Sequence, residues 1–381
     1  MPAVATERAA LPETPQEITA AWLSSVLDAE VQAVSQTPLG DGQGFMGDIL
    51  RLDLTTDDPG LPSALVAKLP KKANRVMGEL LGVYEREIMF FRSFGGRLAI
   101  RIPQHFFSDF DRDKGSEKQA EILQAVDKLP RFFSKLIGWA GTAIAAAKKR
   151  RYLLLIEFFS DLQPGDQLLG LDAAGCRRVL AAIAPLHRQF WGSEELHQHF
   201  WLLPLDVDAR IRQGMFRQHA SAYAQRLGPA LNGHIDWLLK HGETLMRRFT
   251  AEAPMTLLHG DLRLDNVIFD GDDCAFIDFQ LVRRGPAAYD VAYFISSALQ
   301  ADADADAEEA LLRDYHTRLG DADYAFDRFR RDYHRALMIV LAGLASTGEV
   351  DFANERGAAM MAAWLERLKA RVLLVDPQHL L

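Results

Sequence analysis

The stretch LLHGDLRLDNVIFDGDDCAFIDFQ, residues 257–280, most constrains what this chain can fold into. It places His259, Gly260 and Asp261 in a loop, Asn266 five residues after Asp261, and Asp278 after a short apolar run. NVIFD and CAFIDF read as two short strands around the turn DGDD, because Asp and Gly suit turns and the flanks are apolar β-formers. A hairpin of this kind returns Asp278 toward Asp261 and Asn266. Ordinary turn and strand-end chemistry is the plain alternative for these three residues.

The 381-residue chain is long enough for two domains or two lobes. Its formal net charge of −9 disfavours a nucleic-acid partner and is compatible with a cationic substrate. The two cysteines, Cys176 and Cys274, lie far apart and outside metal-ligand spacing, which points to a reducing compartment. The start MPAVATERAALPETPQ has no apolar core, and no window reaches the roughly 20 apolar residues of a membrane span. A cytoplasmic location is the expectation.

Residues 1–13 read as a disordered tail. TPQEITAAWLSSVL reads as an amphipathic helix capped by Thr14, with Ile18, Trp22 and Leu27 near one stripe. Strands are expected in VQAVSQTPL, DILRLDLTT, SALVAKLP, IRIPQHFFSDF and RYLLLIEFF, and one helix in NRVMGELLGVYEREIMFFRSF. From GCRRVLAAIAPLHRQFWG onward the pattern is helical apart from the hairpin. The expected fold class is therefore α+β: a small β-rich N-lobe over 14–160 and a larger, mostly helical C-lobe over 161–381. An insertion, 111–150, interrupts the N-lobe. Its apolar and then basic part reads as a helix packed on the body, with a substrate lid or a membrane-surface contact through 131–151 as alternatives. The acidic run ADADADAEEA reads as a solvated loop entering a helix.

Phosphoryl transfer asks little covalent chemistry of a protein. It needs a positioned hydroxyl, metal ions on the phosphate oxygens and positive charge nearby. A carboxylate can take the hydroxyl proton, and carboxylate and amide oxygens suit hard Mg²⁺. Asp261 fits the first role; Asn266 and Asp278 fit the second.

HGDLRLDN followed by IDF resembles the catalytic loop and metal-binding motif of the aminoglycoside phosphotransferase/choline kinase superfamily, relatives of the protein kinases. YDVAYFISSAL, with the helical motifs ITAAWLSSVL, YEREIMFF, LAAIAPLHRQFW and LLRDYHTRL, is similar to its ecdysteroid kinase-like branch. The resemblance runs through roughly residues 14–340 and implies a protein kinase-like two-lobe fold. It implies an ATP- and Mg²⁺-dependent kinase acting on a small-molecule alcohol. A steroid-like or other apolar alcohol is the first expectation, and an aminoglycoside, choline or sugar the second; a non-catalytic pseudokinase module is the reading from another class. His259 would brace the catalytic loop, and Asp290 would accept hydrogen bonds from it or cap the following helix. Lys68 would meet nucleotide phosphates and pair with Glu87, with Glu85 as the competitor. Gly42 and Gly44, with Gly40 and Gly47, would approach phosphates or simply form a hairpin turn. The backbone around Glu157–Phe159 would hold adenine, although Phe158 departs from the usual Glu-Asp pair. Phe190, Trp191 and Trp201 read as core before pocket.

Overall fold

A computed structural model of the chain describes residues 10–39, 47–71, 74–112, 125–129, 150–160, 162–346 and 355–381. Gly40, Gly42 and Gly44, the tail 1–9 and most of 111–150 lie outside the described residues. Two compact units are distinguished: Met1–Arg97, Ile102–Ser116 and Ile137–Asp161 in one, and Leu98–Arg101, Glu117–Leu136 and Leu162–Leu381 in the other. The class is α+β, with a β-rich N-terminal sheet and a helical C-terminal part.

The first unit is built on five antiparallel strands in the order β1-β2-β3-β5-β4. They are β1 (Ala33–Pro38), β2 (Gly47–Thr55), β3 (Ala64–Pro70), β4 (His105–Phe110) and β5 (Tyr152–Glu157). In β2 the alternation LRLDL buries Leu50, Leu52 and Leu54 on one face, while Arg51 and Asp53 pair on the other (2.7 Å). The interior strand β5 is apolar and buried from Tyr152 to Ile156, as suits a strand with both faces covered. Leu11, Ile18 and Leu23 join the leucines of β2, β3 and β5 in one core.

Three local expectations change here. Residues 10–13 are not tail: Leu11 is buried, and Trp22 Nε1 donates to the Ala10 carbonyl (3.0 Å). The first helix, α1 (Ala20–Leu27), is capped by Thr19, whose hydroxyl accepts from Trp22 N (3.1 Å); Pro15–Glu17 forms a separate 3-10 turn. The helix after β3 is two helices, α2 (Arg75–Leu81) and α3 (Val83–Phe94), broken where Gly82 turns left-handed (φ 65°). The apolar periodicity continues across that glycine, so spacing alone concealed the break.

In the second unit, helices α4 (Ala173–Gln189), α5 (Ala209–Leu227), α6 (Asn232–Glu252), α7 (Ala288–Ala298), α8 (Ala305–Leu319), α9 (Phe326–Ser346) and α10 (Glu355–Val372) carry the core. α9 packs on α5, α6 and α7, and α10 packs on α7. The acidic run enters α8 as expected, with Asp304 accepting from Ala307 N (2.7 Å). Phe190 and Trp201 are buried core residues, and Trp191 donates to Asp321 (2.8 Å). The described residues 125–129 belong to this unit. Buried Asp127 accepts from Arg210 N (2.9 Å) and Ile211 N (3.1 Å) in the first turn of α5 and pairs with Arg247 (2.5 Å). Among the described residues, no helix is long and apolar enough to cross a membrane.

Gly82→Ala forces a Cβ into the left-handed region at a cost of roughly 1–2 kcal/mol. It is expected to lower the thermal midpoint of the chain, whereas Gly96→Ala, whose Cβ meets nothing within 4 Å, leaves it in place. Parallel melts of the two variants check this.

Candidate active site

The HGD loop leaves β7 (Met255–Leu258), which pairs antiparallel with β10 (Arg283–Pro286) in the register Arg283↔Leu258. That pairing presses residues 258–260 against 281–283. Gly260 has φ +81°, and a Cβ there would collide with the Leu281 carbonyl oxygen, so the glycine is dictated by backbone conformation and by space. The loop then closes through a 3-10 turn, Leu264–Asn266, into the hairpin β8 (Val267–Asp270) and β9 (Asp273–Phe276) expected from the sequence, with the short β6 (Gln163–Pro164) paired along β8.

Asp290 anchors the loop. Its carboxylate is fully buried and accepts from His259 N (2.6 Å) and Gly260 N (3.0 Å). It does not cap α7: it lies inside the first turn, and the cap position Ala287 makes no side-chain bond. The His259 ring spans the loop, with Nε2 against the Ile277 carbonyl (3.0 Å) and Nδ1 against Asp261 N (3.3 Å). Burial lowers its pKa below 6.5 despite the neighbouring carboxylates. The neutral ring therefore donates from Nε2 to the carbonyl and accepts at Nδ1. The ring thus ties the loop to the segment that follows β9.

Asp261, Asn266 and Asp278 are drawn together as the hairpin required. Asn266 donates from Nδ2 to the Asp261 carbonyl (2.8 Å) and carboxylate (3.0 Å). Its backbone carbonyl accepts from Ile277 N (3.0 Å), the residue before Asp278. Asp278 has φ 65° and ψ 67°, a strained conformation for a residue other than glycine, of the kind found at functional sites. Its charge acts on both His259 and Arg263. Because the Asn266 nitrogen is committed to Asp261, the amide oxygen is the end left to meet a hard cation. With Asp278 this donor set fits Mg²⁺. No cluster of three or more acidic, His or Cys metal ligands occurs among the described residues, so an ion here needs phosphate and water oxygens as well.

Several partners escaped the sequence reading. Tyr293, one turn along α7 from Asp290, donates its hydroxyl to Asp261 (2.7 Å). Burial and the adjacent Asp261 raise its pKa well above the usual value, so it remains a donor. Arg263 reaches Asp261 (3.4 Å) and Asp265 (2.8 Å); burial opposes its charge, but these carboxylates outweigh burial and raise its pKa. His187 lies between Asp290 (3.2 Å) and Tyr315 (2.7 Å), entirely buried. Gln167 ties Leu264 N (2.8 Å) to the Ser297 carbonyl (2.6 Å) from a fully buried position. A lone buried Gln, His or Tyr has no spacing signal; only the fold reveals its partner.

In the first unit, Lys68 on β3 pairs with Glu87 on α3 (2.6 Å), with side chains only 12% and 4% exposed. The competitor Glu85 pairs instead with Arg150 (3.0 Å). Glu85 and Glu87 lie two positions apart and so point around different sides of the helix. Glu157 closes β5, with its carboxylate accepting from Gln104 N (3.0 Å). Phe158, the departure from the usual pair, lies under Arg51 (4.6 Å), and Phe159 is half-buried beside it in sequence.

Residues 152–330 match the sequence profile of the phosphotransferase enzyme family. No curated protein matches the chain. Among solved structures, the GDP complex of aminoglycoside 2'-phosphotransferase-IIIa is similar at 14% identity and a TM-score of 0.53, covering 92% of this chain and 96% of that one. A choline kinase from Cryptosporidium parvum aligns at 12% identity and a TM-score of 0.50, covering 91% of each chain. A microcompartment-associated aminopropanol kinase aligns at 14% identity and 0.50, covering 88% of this chain and 90% of that one. The fold is thus kinase-like and the sequence match is to phosphotransferase enzymes.

The buried His259 makes a pH prediction. Above pH 6.5 folded and unfolded chains both hold the ring neutral, and its contribution to stability is complete. As pH falls through 6.5, the unfolded chain takes up a proton that the folded loop refuses, and stability is lost down to the folded pKa. Thermal midpoints measured from pH 8 toward about pH 5 are expected to fall more steeply for the wild type than for His259→Gln. His105 and His334, also lowered by burial, titrate alike in both proteins.

Proposed function

We propose that the chain is an ATP- and Mg²⁺-dependent kinase that transfers the γ-phosphate to a hydroxyl of a small molecule. The observation that carries this is the Asp261 loop: a carboxylate held by Tyr293 and Asn266 and set on a backbone tied to buried Asp290. Asp261 orients the acceptor hydroxyl and receives its proton as the oxygen attacks phosphorus. The bond from phosphorus to the ADP oxygen breaks, and ADP leaves with that electron pair. Asn266 Oδ1 and Asp278 would hold Mg²⁺, which neutralises charge on the phosphate oxygens when bound. Lys68, kept oriented by Glu87, serves the nucleotide phosphates, and the Glu157–Phe159 backbone serves adenine.

The pairing of Lys68 with Glu87 and the intact Asp261–Asn266–Asp290 network support an active enzyme over a pseudokinase. The Asp-Val-Ala-Tyr-Phe run at 290–294 favours the ecdysteroid kinase-like branch, and with it an alcohol that is largely apolar.

Asp261→Asn keeps the hydrogen-bonding shape and removes the proton acceptor. It is expected to lower kcat by about 10²–10⁴-fold while the thermal shift with ATP and Mg²⁺ persists. Phosphoryl transfer to an alcohol library, measured as ADP release, checks this. Unchanged turnover in Asp261→Asn, or no shift of the wild type with ATP and Mg²⁺, defeats the proposal.

A further inference from the structure

A cluster of arginines lies beside the catalytic loop and takes no part in the mechanism above. Arg283 opens β10 directly opposite Leu258, the residue that feeds His259. Its guanidinium reaches Asp208 (3.6 Å), and Arg212 on α5 reaches the same carboxylate (2.9 Å). Two cations thus share one aspartate. The next carboxylate, Asp206, is shared with Arg247 (4.0 Å) and is pushed toward its neutral form by burial. A third cation, Arg284, spends Nη1 on the carbonyls of Leu202 (2.9 Å) and Leu196 (3.4 Å), so it adds charge without a carboxylate contact of its own. Burial, reinforced by Arg212, lowers the Arg283 pKa although Asp208 opposes this. Three arginines, Arg212, Arg283 and Arg284, thus face two carboxylates, Asp208 and Asp206, in an enclosed place.

That place is connected to Asp261. Tyr289 hydrogen-bonds Arg212, and its ring lies 5.9 Å from that of Tyr293, one turn further along the same face of α7. Tyr293 in turn donates to Asp261. The guanidinium side chains remain partly accessible, 11% exposed for Arg283 and 26% for Arg212. A guanidinium suits a carboxylate or phosphate, whose paired oxygens match its fork. Such a wall repels an aminoglycoside or choline.

We propose that the acceptor alcohol carries an oxyanion, a carboxylate or a phosphate, which Arg212 and Arg283 engage while its hydroxyl lies at Asp261. This rests on the kinase reading above and narrows its substrate class. The shared chemistry is a small molecule bearing both groups, with an apolar body against Tyr289 and Tyr293.

The test offers matched pairs with ATP and Mg²⁺: hydroxy acids of graded length beside their amides, and diol monophosphates beside the free diols. Aminoglycosides, choline and a neutral sterol form the last arm. The charged member of a pair is expected to win in kcat/KM by about 10- to 100-fold, the value of a charge-assisted contact. The first two arms tell carboxylate from phosphate. Arg283→Gln is expected to raise KM for the charged acceptor by a similar factor and leave KM for ATP unchanged, with Arg283→Lys recovering part of the loss. The same pairs are also read as thermal shifts with ADP present: charged members stabilise the wild type, and Arg283→Gln abolishes the difference. Preference for neutral or cationic acceptors, or equal shifts within the pairs, overturns the inference and leaves the kinase standing. Loss of the ATP and Mg²⁺ shift in the wild type defeats the kinase reading itself.

Discussion

The second unit depends on one buried carboxylate. Asp290 has no exposure to water, so its charge must be met by donors or cost several kcal/mol. The donors are His259 N, Gly260 N and the His187 ring. Two of these belong to the backbone of the loop, so satisfying the charge and fixing the start of the loop are the same event. The helix that carries Asp290 also carries Tyr293 and Tyr289 along one face. α7 therefore acts as a ruler: one position holds the loop backbone, the next turn holds the Asp261 side chain, and the preceding residue meets the arginines.

How legible this was in sequence follows from the length scale of each signal. The hairpin, the β-rich and helical halves, and the closeness of Asp261 to Asn266 are set by residues near one another in the chain. They could be read directly. Asp290 was readable only through the resemblance, and the structure then removed its plainer role as a cap. The partners of the loop with no sequence signal, Gln167, His187 and Tyr293, come from segments 32 to 103 residues away from the loop residues and Asp290 that they touch and have no periodicity of their own. The errors were local too. Thr14 and Thr19 are both acceptable caps by type, and only the path of the chain around Pro15–Glu17 selects Thr19. Leu11 reads as tail because a single leucine among polar residues gives no pattern, yet it fills the core beside Ile18 and Leu23.

The glycines separate the two kinds of legibility further. Gly260 stands in the His-Gly-Asp motif, and its physical reason is a left-handed backbone pressed against Leu281. Gly82 sits inside a continuous helical pattern, yet it is the break between α2 and α3. A glycine in an amphipathic run is ambiguous until φ is known, since the same residue can be tolerated within a helix or can end it.

The surroundings of Asp261 bear on what kind of chemistry the loop can support. Tyr293 addresses one carboxylate oxygen, and Asn266 and Arg263 address the other. Those donors lock the side chain in orientation, and the oxygen that meets Tyr293 alone retains a further lone pair for an incoming hydroxyl. A reaction that demanded a strong base would be poorly served by a carboxylate so heavily solvated by the protein. Phosphoryl transfer through a loose transition state makes no such demand: the hydroxyl needs aim more than activation, and the proton moves late. The network is therefore matched to positioning.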